Sequence, residues 1–477
     1  MFVMNEKLQM AYLSVTRLNF QKCQQLISEE KKVNSNNAAV HYVESFHDFV
    51  KSFISEDDDI YERQKKKLNI RLNLIEEIPH ESPWYRFAKA ELIAHVAIIK
   101  LKNKDYITAA YQLRRSFKLL EENKLENPDF IPQYKALGFF HAAISTVPEN
   151  YSWLVSIAGF NGTLSQGIVE LDKVLVASKN NRSLSYLHPE AVLLRTTTAL
   201  NFEKDHEKAD QLVNNIDPIF SGPLKQFIMA SAYMSNNNYS DEEEFFQTAS
   251  LENTTGQQLF YLYYMRGMMY INKMSLHEAE KDFKYFTNAY KGSSFIKSTY
   301  QKIAWINLLQ NDTTEYKRYI SLVDTNGSLF TDEDKQSQKE FDSEVIPNVH
   351  LLRSRIYFDG GRYLESLSSI TGRPMSDFPS AKDQVELTYR IARINEESGR
   401  TAQALKYYDK TITIGEDFTY YFAANAALHS AYIYESQRSY EKAEEYFRKC
   451  LKMRGHDYQN SIDQKAKSGL ERIRASK

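Results

Sequence analysis

The chain has 477 residues, of which 42% are hydrophobic, and its 60 lysines and arginines nearly balance its 62 aspartates and glutamates. This hydrophobic content is typical of a folded chain rather than a disordered one. The near-neutral charge gives no overall field that would attract nucleic acid or an anionic membrane surface, so neither is expected as a partner. Only 16 glycines and 11 prolines are present, which leaves little material for the turns of a sheet protein.

The two cysteines, Cys23 and Cys450, lie near opposite ends of the chain, and no CxxC motif occurs. This arrangement argues against a disulfide framework, a thiolate metal site or a redox pair. Both cysteines are predicted to be compact core residues, because free cysteine is usually buried. No cofactor and no metal ion is expected.

No apolar stretch approaches the ~20 residues that a membrane-spanning helix needs, so no transmembrane segment is expected. The first residues, Met1–Asn5, lack the basic start and apolar run of a secretory signal. The chain as given is therefore expected in the cytoplasm. If a signal peptide has been removed, a periplasmic or envelope-associated location is expected instead.

A spacing pattern recurs seven times: a small residue, a second one twelve positions later, and an apolar or aromatic residue four positions after that. The copies are Ala11/Cys23/Ile27, Ala97/Ala109/Leu113, Thr197/Ala209/Val213, Gly267/Ala279/Phe283, Ser354/Ser366/Ile370, Ala392/Ala404/Tyr408 and Ala431/Ala443/Phe447. Closely packed helices need small side chains where their axes meet and a large one in the adjoining hole. The pattern therefore predicts helix-turn-helix units that bury their apolar faces by stacking.

In chain order the pattern predicts four segments. They are N-terminal helix pairs (1–122), a non-repeat helical connector (123–181), a degenerate repeat array (182–340), and a C-terminal array with a capping helix (341–477). A break is predicted over Asp324–Ser343, which is polar and of mixed charge. Strand-like alternation is scarce throughout, so helices are expected nearly everywhere.

Two copies read YMRGMMYINKMSLHEAEKDFKYF (264–286) and HSAYIYESQRSYEKAEEYFRKCL (429–451). These windows resemble tetratricopeptide repeats, which are helix pairs of ~34 residues. The resemblance implies an all-α fold, built as a right-handed superhelical solenoid of stacked helix-turn-helix repeats. It also implies a non-enzymatic scaffold that binds a protein or peptide on its concave face.

The connector reads SWLVSIAGFNGTLSQGIVELDKVL over residues 152–175. This short stretch is similar to a segment of eukaryotic repeat proteins linked to inclusion-body and lipid-droplet handling, which implies a related all-helical architecture. Its glycines Gly159, Gly162 and Gly167 are not followed by the Lys-Ser/Thr of a phosphate loop. Close helix packing and a left-handed helix cap are expected there instead.

Catalytic motifs are missing from the sequence. No HExxH or GxSxG motif occurs, and the 11 histidines are scattered without metal-ligand spacing. The basic run from Arg63 to Arg71 lies between acidic residues on both sides, which favours a solvated helix face. No enzyme activity is expected.

The resemblance also places a partner-binding surface on the first helix of each pair. Carried across by register, the inward positions are Tyr264, Met268, Arg355, Phe358, Tyr389, Arg393, Leu428 and Tyr432. Aromatic rings and guanidinium groups in alternation would hold an extended peptide that presents carboxylates. Alternatively, these side chains pack against each other or form ion pairs with Glu386 and Glu396.

The main groove is expected within Val345–Met453, and reversing the charges of Arg355 and Arg393 is expected to abolish partner capture without loss of helicity. The Lys/Asn arrangement that clamps a C-terminal carboxylate in some tetratricopeptide repeats is not evident here. Two other functions stay open: a ligand-gated regulatory or sensor protein that binds a short peptide or small molecule, and an envelope assembly or transport accessory factor.

Overall fold

The computed structural model describes residues 1–145, 161–235 and 239–476. Over these residues the chain forms 24 α-helices and no strand, which confirms the all-α prediction. The helices alternate with short turns from one end of the described chain to the other, as in a helical repeat fold. The right-handed superhelical path stays a prediction.

The helices are numbered in chain order. They are α1 Glu6–Thr16, α2 Phe20–Val33, α3 Ala39–Ser55, α4 Asp58–Ile75, α5 Pro83–Lys102, α6 Tyr106–Glu126, α7 Gln133–Ile144, α8 Leu164–Asn180, α9 His188–Thr198, α10 His206–Asn214, α11 Pro223–Ser235, α12 Tyr239–Thr248, α13 Tyr261–Asn272, α14 Leu276–Ala289, α15 Ile296–Leu309, α16 Thr313–Thr325, α17 Asp332–Asp342, α18 Val349–Asp359, α19 Tyr363–Ser368, α20 Ala381–Glu397, α21 Thr401–Gly415, α22 Phe422–Ser436, α23 Tyr440–Lys452 and α24 Gln459–Ser476.

The chain divides into two compact units. Unit 1 comprises Met1–Gly267, Lys281–Thr299 and Asn326–Lys335, and unit 2 comprises Met268–Glu280, Tyr300–Thr325 and Gln336–Lys477. The four segments predicted from the sequence stay a prediction. The predicted break over 324–343 instead contains a helix, α17, over Asp332–Asp342.

Each of the seven repeat copies turns between its helices through a residue of positive φ. This residue always lies five positions before the second small residue, at Leu18, Lys104, Lys204, Met274, Gly361, Gly399 and Arg438. In six copies the following amide donates to the carbonyl five residues earlier, as Asp105 does to Lys100 at 2.9 Å. This bond closes the helix end. The repeat therefore specifies a common turn as well as a packing pattern.

The small residues of the pattern are where helices meet most closely. Ala392, Ala404, Ala431 and Ala443 have no exposed surface. A Cβ atom on Gly267 would lie 2.6 Å from a ring carbon of Phe283, so the glycine makes room for that ring. Cys23 and Cys450 are likewise buried, as predicted from the usual burial of free cysteine.

The substitution Ala279→Leu is expected to destabilise the chain by ~1–3 kcal/mol, because this alanine is fully buried and a larger side chain would overpack its surroundings. The measurement is chemical denaturation of the full chain. The matched control is Glu278→Leu, at an exposed neighbour on α14. Equal stability of the two variants would show that Ala279 is not at a close contact.

Two glycines bring α7 and α8 into backbone contact. A Cβ atom on Gly167 would lie 2.5 Å from the carbonyl oxygen of Gly138 and 2.6 Å from the amide nitrogen of Ala142. Gly162 lies against the ring of His141, where a Cβ atom would approach Cδ2 to 2.3 Å. Close packing is therefore the role of Gly162 and Gly167, whereas Gly159 lies outside the described residues.

Candidate functional site

A buried polar cluster lies in unit 1, where α1, α3, α5, α7 and α9 each contribute one side chain. Lys135 on α7 is 2% exposed and its Nζ contacts the carboxylates of Glu91 on α5 and Glu190 on α9, the latter at 3.0 Å. Tyr12 on α1 donates to Glu190, and Tyr42 on α3 donates to Tyr12 at 3.3 Å. These five side chains use one another as partners. The polar groups of this cluster are therefore paired within unit 1.

Tyr264 does not form part of an open surface. Tyr264 is 4% exposed, and its ring packs against Phe295 at a centroid distance of 5.1 Å. Its hydroxyl lies 3.0 Å from Ser298 Oγ, so its polar atom has a partner as well. Met268 is partly buried. The partner contact predicted for Tyr264 is not supported, because this side chain is buried in the core of unit 1.

Unit 2 contains a groove with a volume of about 280 Å³. It is lined by Ser354, Arg355, Phe358, Asp359, Ser366, Tyr389, Arg390, Arg393, Ile394, Tyr421, Asn425 and His429. Most of these come from α18, α20 and α22, the first helices of three successive pairs. Four of the residues predicted from the sequence line it together: Arg355, Phe358, Tyr389 and Arg393.

The last two predicted positions lie away from the groove. Leu428 is 1% exposed and belongs to the core of unit 2, so it is withdrawn from the candidate surface. Tyr432 is partly buried and packs edge-to-face against Phe447, with the guanidinium of Arg472 over its ring. Both residues support the helix packing beside the groove.

Arg355 presents its guanidinium to the groove. The group lies 5.0 Å from the ring centre of Trp305 on α15, and its nearest carboxylate is Asp359, at 3.7 Å. Trp305 Nε1 donates to Glu340 at 2.8 Å, which fixes the ring under the guanidinium. Among the described residues, Arg355 donates no hydrogen bond, and its side chain is 38% exposed. Its N–H groups are therefore available to a ligand.

Arg393 is held by its neighbours. It donates to Glu396 and, at 2.9 Å, to Glu397 one turn along α20. Its Nη1 also lies 2.8 Å from Nδ1 of His429 on α22, and its guanidinium faces the ring of Phe358 at 5.4 Å. The ion pair with Glu396 is the alternative that the sequence left open for this arginine.

Arg390 is paired as well, with Glu386 on the same helix. Its Nε donates to Glu386 at 2.8 Å and its Nη2 donates to the same oxygen. The pair is mostly buried, at 13% and 16% exposure. Of the three groove arginines, Arg355 is therefore the one that donates no hydrogen bond to a described residue.

Eight of the twelve lining residues were not predicted as site residues from the sequence, and they include Arg390, Tyr421, Asn425 and His429. Asn425 Nδ2 donates to the hydroxyl of Tyr389 at 2.6 Å, which orients that ring toward the groove. Burial raises the pKa of Tyr421, so its hydroxyl stays protonated and can donate. A register that also counted the residue one turn before Leu428 would have found Asn425.

No catalytic or metal-binding arrangement accompanies the groove in the described part of the chain. No cluster of three His, Cys, Asp or Glu residues that could hold a metal ion is found there. Burial raises the pKa of both Cys23 and Cys450 to about 12, so neither thiol is ionised near neutral pH. Within the same residues, no helix is long and apolar enough to span a membrane.

One helix pair of this chain matches a known family of repeats. Residues 424–457, which cover most of α22 and all of α23, match the model of the tetratricopeptide repeat. The crystal structure of the P58(IPK) TPR domain is 14% identical, with 87% of this chain and 96% of that chain covered and a TM-score of 0.23. No match was found among curated protein sequences.

Two further solved structures are similar at the same level. The APC/C hetero-tetramer Cut9–Hcn1 is 10% identical, covers 96% of this chain and 94% of its own, and gives a TM-score of 0.26. The structure of Naa15/Naa10 bound to HypK-THB is 12% identical, with coverages of 97% and 65% and a TM-score of 0.26.

The fold and the groove together define a helical-repeat protein. Residues 424–457 match the tetratricopeptide-repeat model, which confirms the resemblance seen in that window of the sequence. Repeats of this kind serve protein–protein interaction, and that general role is the one that the fold supports.

Proposed function

We propose that this chain is a non-enzymatic scaffold that binds an extended protein segment in the groove of unit 2. The observation that carries the proposal is Arg355, a partly exposed guanidinium with no hydrogen bond to any described residue. Guanidinium groups bind carboxylates through paired N–H donors. The expected partner segment therefore presents an acidic side chain or a chain-end carboxylate beside apolar groups.

The shape of the groove favours a segment of a protein over a whole small molecule. Its volume of about 280 Å³ lies at the lower limit for pockets that enclose small ligands. It is instead suited to one or two side chains of a longer chain. The rings of Phe358, Tyr389 and Tyr421 line the same groove as Arg355 and supply apolar contact there.

The substitution Arg355→Gln tests the proposal, and Arg448→Gln is the matched control. Arg448 is 54% exposed on α23, outside the groove lining, and is paired with Glu444. Affinity capture from native lysate is expected to lose a set of proteins with the Arg355 variant and to keep the same set with the control. Identical captured proteins for both variants would place partner binding elsewhere.

A single substitution at Arg355 is a cleaner test than reversing both arginines. Glutamate at Arg393 would face Glu396 and Glu397 without the cation that now pairs with them. Like charges held at this distance are destabilising, so the double reversal is expected to disturb α20 as well as binding. Intact helicity is therefore expected only for a variant that is substituted at Arg355 alone.

A further inference from the structure

His429 occupies a point in the groove where two opposite hydrogen bonds compete. Its Nδ1 lies 2.8 Å from Nη1 of Arg393 and 3.0 Å from Oε2 of Glu396. An unprotonated Nδ1 can accept from the guanidinium and cannot donate to the carboxylate. A protonated Nδ1 can donate to the carboxylate and cannot accept from the guanidinium. The contact with Arg393 therefore requires the neutral tautomer that carries its proton on Nε2, whereas the contact with Glu396 is open to the imidazolium and to the other neutral tautomer.

The surroundings of His429 decide which state exists near neutral pH. Burial lowers the pKa of His429, and the adjacent cation of Arg393 acts in the same direction, whereas the hydrogen bond to Glu396 and the charges of Glu396 and Glu397 oppose them. The imidazole is therefore neutral at pH 7 and takes a proton as the pH falls. The charged and titratable groups that face it are Arg393, Glu396 and Glu397 from α20, Tyr408 from α21 and Tyr432 from its own helix.

Protonation changes what Arg393 can do. The guanidinium loses the imidazole nitrogen as an acceptor and gains a positive neighbour, while Glu396 gains a second cationic donor. Tyr408 already donates to Glu396 at 2.5 Å, so this carboxylate has several donors without Arg393. The groove then carries one more positive charge, and one N–H of Arg393 lacks a partner.

We propose that His429 is a proton-operated control of the groove, which binds an acidic protein segment more tightly as the pH falls below neutral. This inference rests on the proposed peptide-binding function and adds its regulation. By linkage, a bound carboxylate stabilises the imidazolium, so binding and protonation strengthen each other. Affinity for an anionic segment is present at low pH and declines as the pH rises through the titration of His429.

The first test needs no ligand. Histidine signals of the full chain, labelled with ¹³C in the imidazole rings, are followed by NMR from about pH 5 to about pH 8, and His429 is assigned from its loss in His429→Gln. Arg393→Gln is expected to move the His429 midpoint upward by about one pH unit, and Glu396→Gln is expected to move it downward. Unchanged midpoints in both variants would overturn the proposal.

The second test measures binding of a fluorescein-labelled peptide of glutamate, leucine and glycine by fluorescence anisotropy. The wild-type chain is expected to bind about tenfold more tightly at about pH 5.5 than at about pH 7.5, and His429→Gln should show less than a twofold change. His350→Gln is the matched control, because His350 on α18 also titrates but does not line the groove. It should keep the wild-type pH dependence.

The two tests separate the two proposals. Equal pH dependence in wild type and His429→Gln would overturn the control by His429 and leave peptide binding standing. No binding of the peptide at either pH, together with the expected NMR shifts, would count against the acidic segment of the proposed function and support the coupling of His429 to Arg393.

Discussion

The substitution Lys135→Met is expected to destabilise unit 1 by about 3–5 kcal/mol, because it removes one partner of a buried ion pair. Although burial alone would lower the pKa of Lys135, the carboxylates of Glu190 and Glu91 hold it well above its ordinary value. The ammonium is therefore charged in the folded chain, and it is the buried counter-charge of both glutamates. Its loss leaves two carboxylates in an interior that cannot solvate them.

Chemical denaturation of the full chain measures this loss, with Lys118→Met as the control. Lys118 is 76% exposed on α6, so methionine there should change the free energy of unfolding by no more than ~0.5 kcal/mol. Adding Glu91→Leu to the Lys135 variant should restore part of the stability, because a buried charge leaves with it. A Lys135 variant as stable as the control would show that the cluster is not closed to water.

The substitution Gly167→Ala is expected to lower the free energy of unfolding by about 3 kcal/mol, although alanine is ordinarily the better helix former. The added Cβ would meet the carbonyl oxygen of Gly138 and the amide of Ala142, and backbone atoms cannot rotate away as a side chain can. The helices α7 and α8 would have to separate. Thermal unfolding followed by circular dichroism should show a clear fall in the midpoint.

Serine 165 provides the control for this substitution. Ser165 lies on the exposed side of the same helix, and Ser165→Ala also introduces the better helix former, without the backbone contact. Its stability is expected to equal or exceed that of the unchanged chain. If Gly167→Ala behaved like Ser165→Ala, the close crossing of α7 and α8 would be contradicted.

Much of the fold could be predicted from the sequence, because the spacing of the repeat reflects how pairs of helices pack. The spacing of Gly267, Ala279 and Phe283 follows from the geometry of two crossing helices, so it can be read without coordinates. The turn that belongs to each copy was harder to see. Only Gly361 and Gly399 reveal a left-handed residue by type, whereas Lys104 and Arg438 adopt the same backbone without any marker in the sequence.

The candidate site could be predicted only in part, because register tells which helix face a residue occupies and not what else fills the space. Arg355 and Arg393 came from equivalent positions, yet one has unused donors and the other is fixed by two glutamates. Tyr264 held a similar position but is covered by Phe295 and Ser298, which belong to the next helix pair. His429 was missed because its partners lie on α20, some 33 residues away.

The most direct measurement is the affinity of selected peptides for the groove. Peptides are selected from a random display library on the full chain, and their dissociation constants are measured with the wild type, Arg355→Gln and Arg448→Gln. We expect the selected peptides to carry an acidic residue beside apolar ones, with affinity at least about tenfold weaker for Arg355→Gln and unchanged for Arg448→Gln. Selected peptides without acidic residues, or equal affinity for all three proteins, would contradict this expectation.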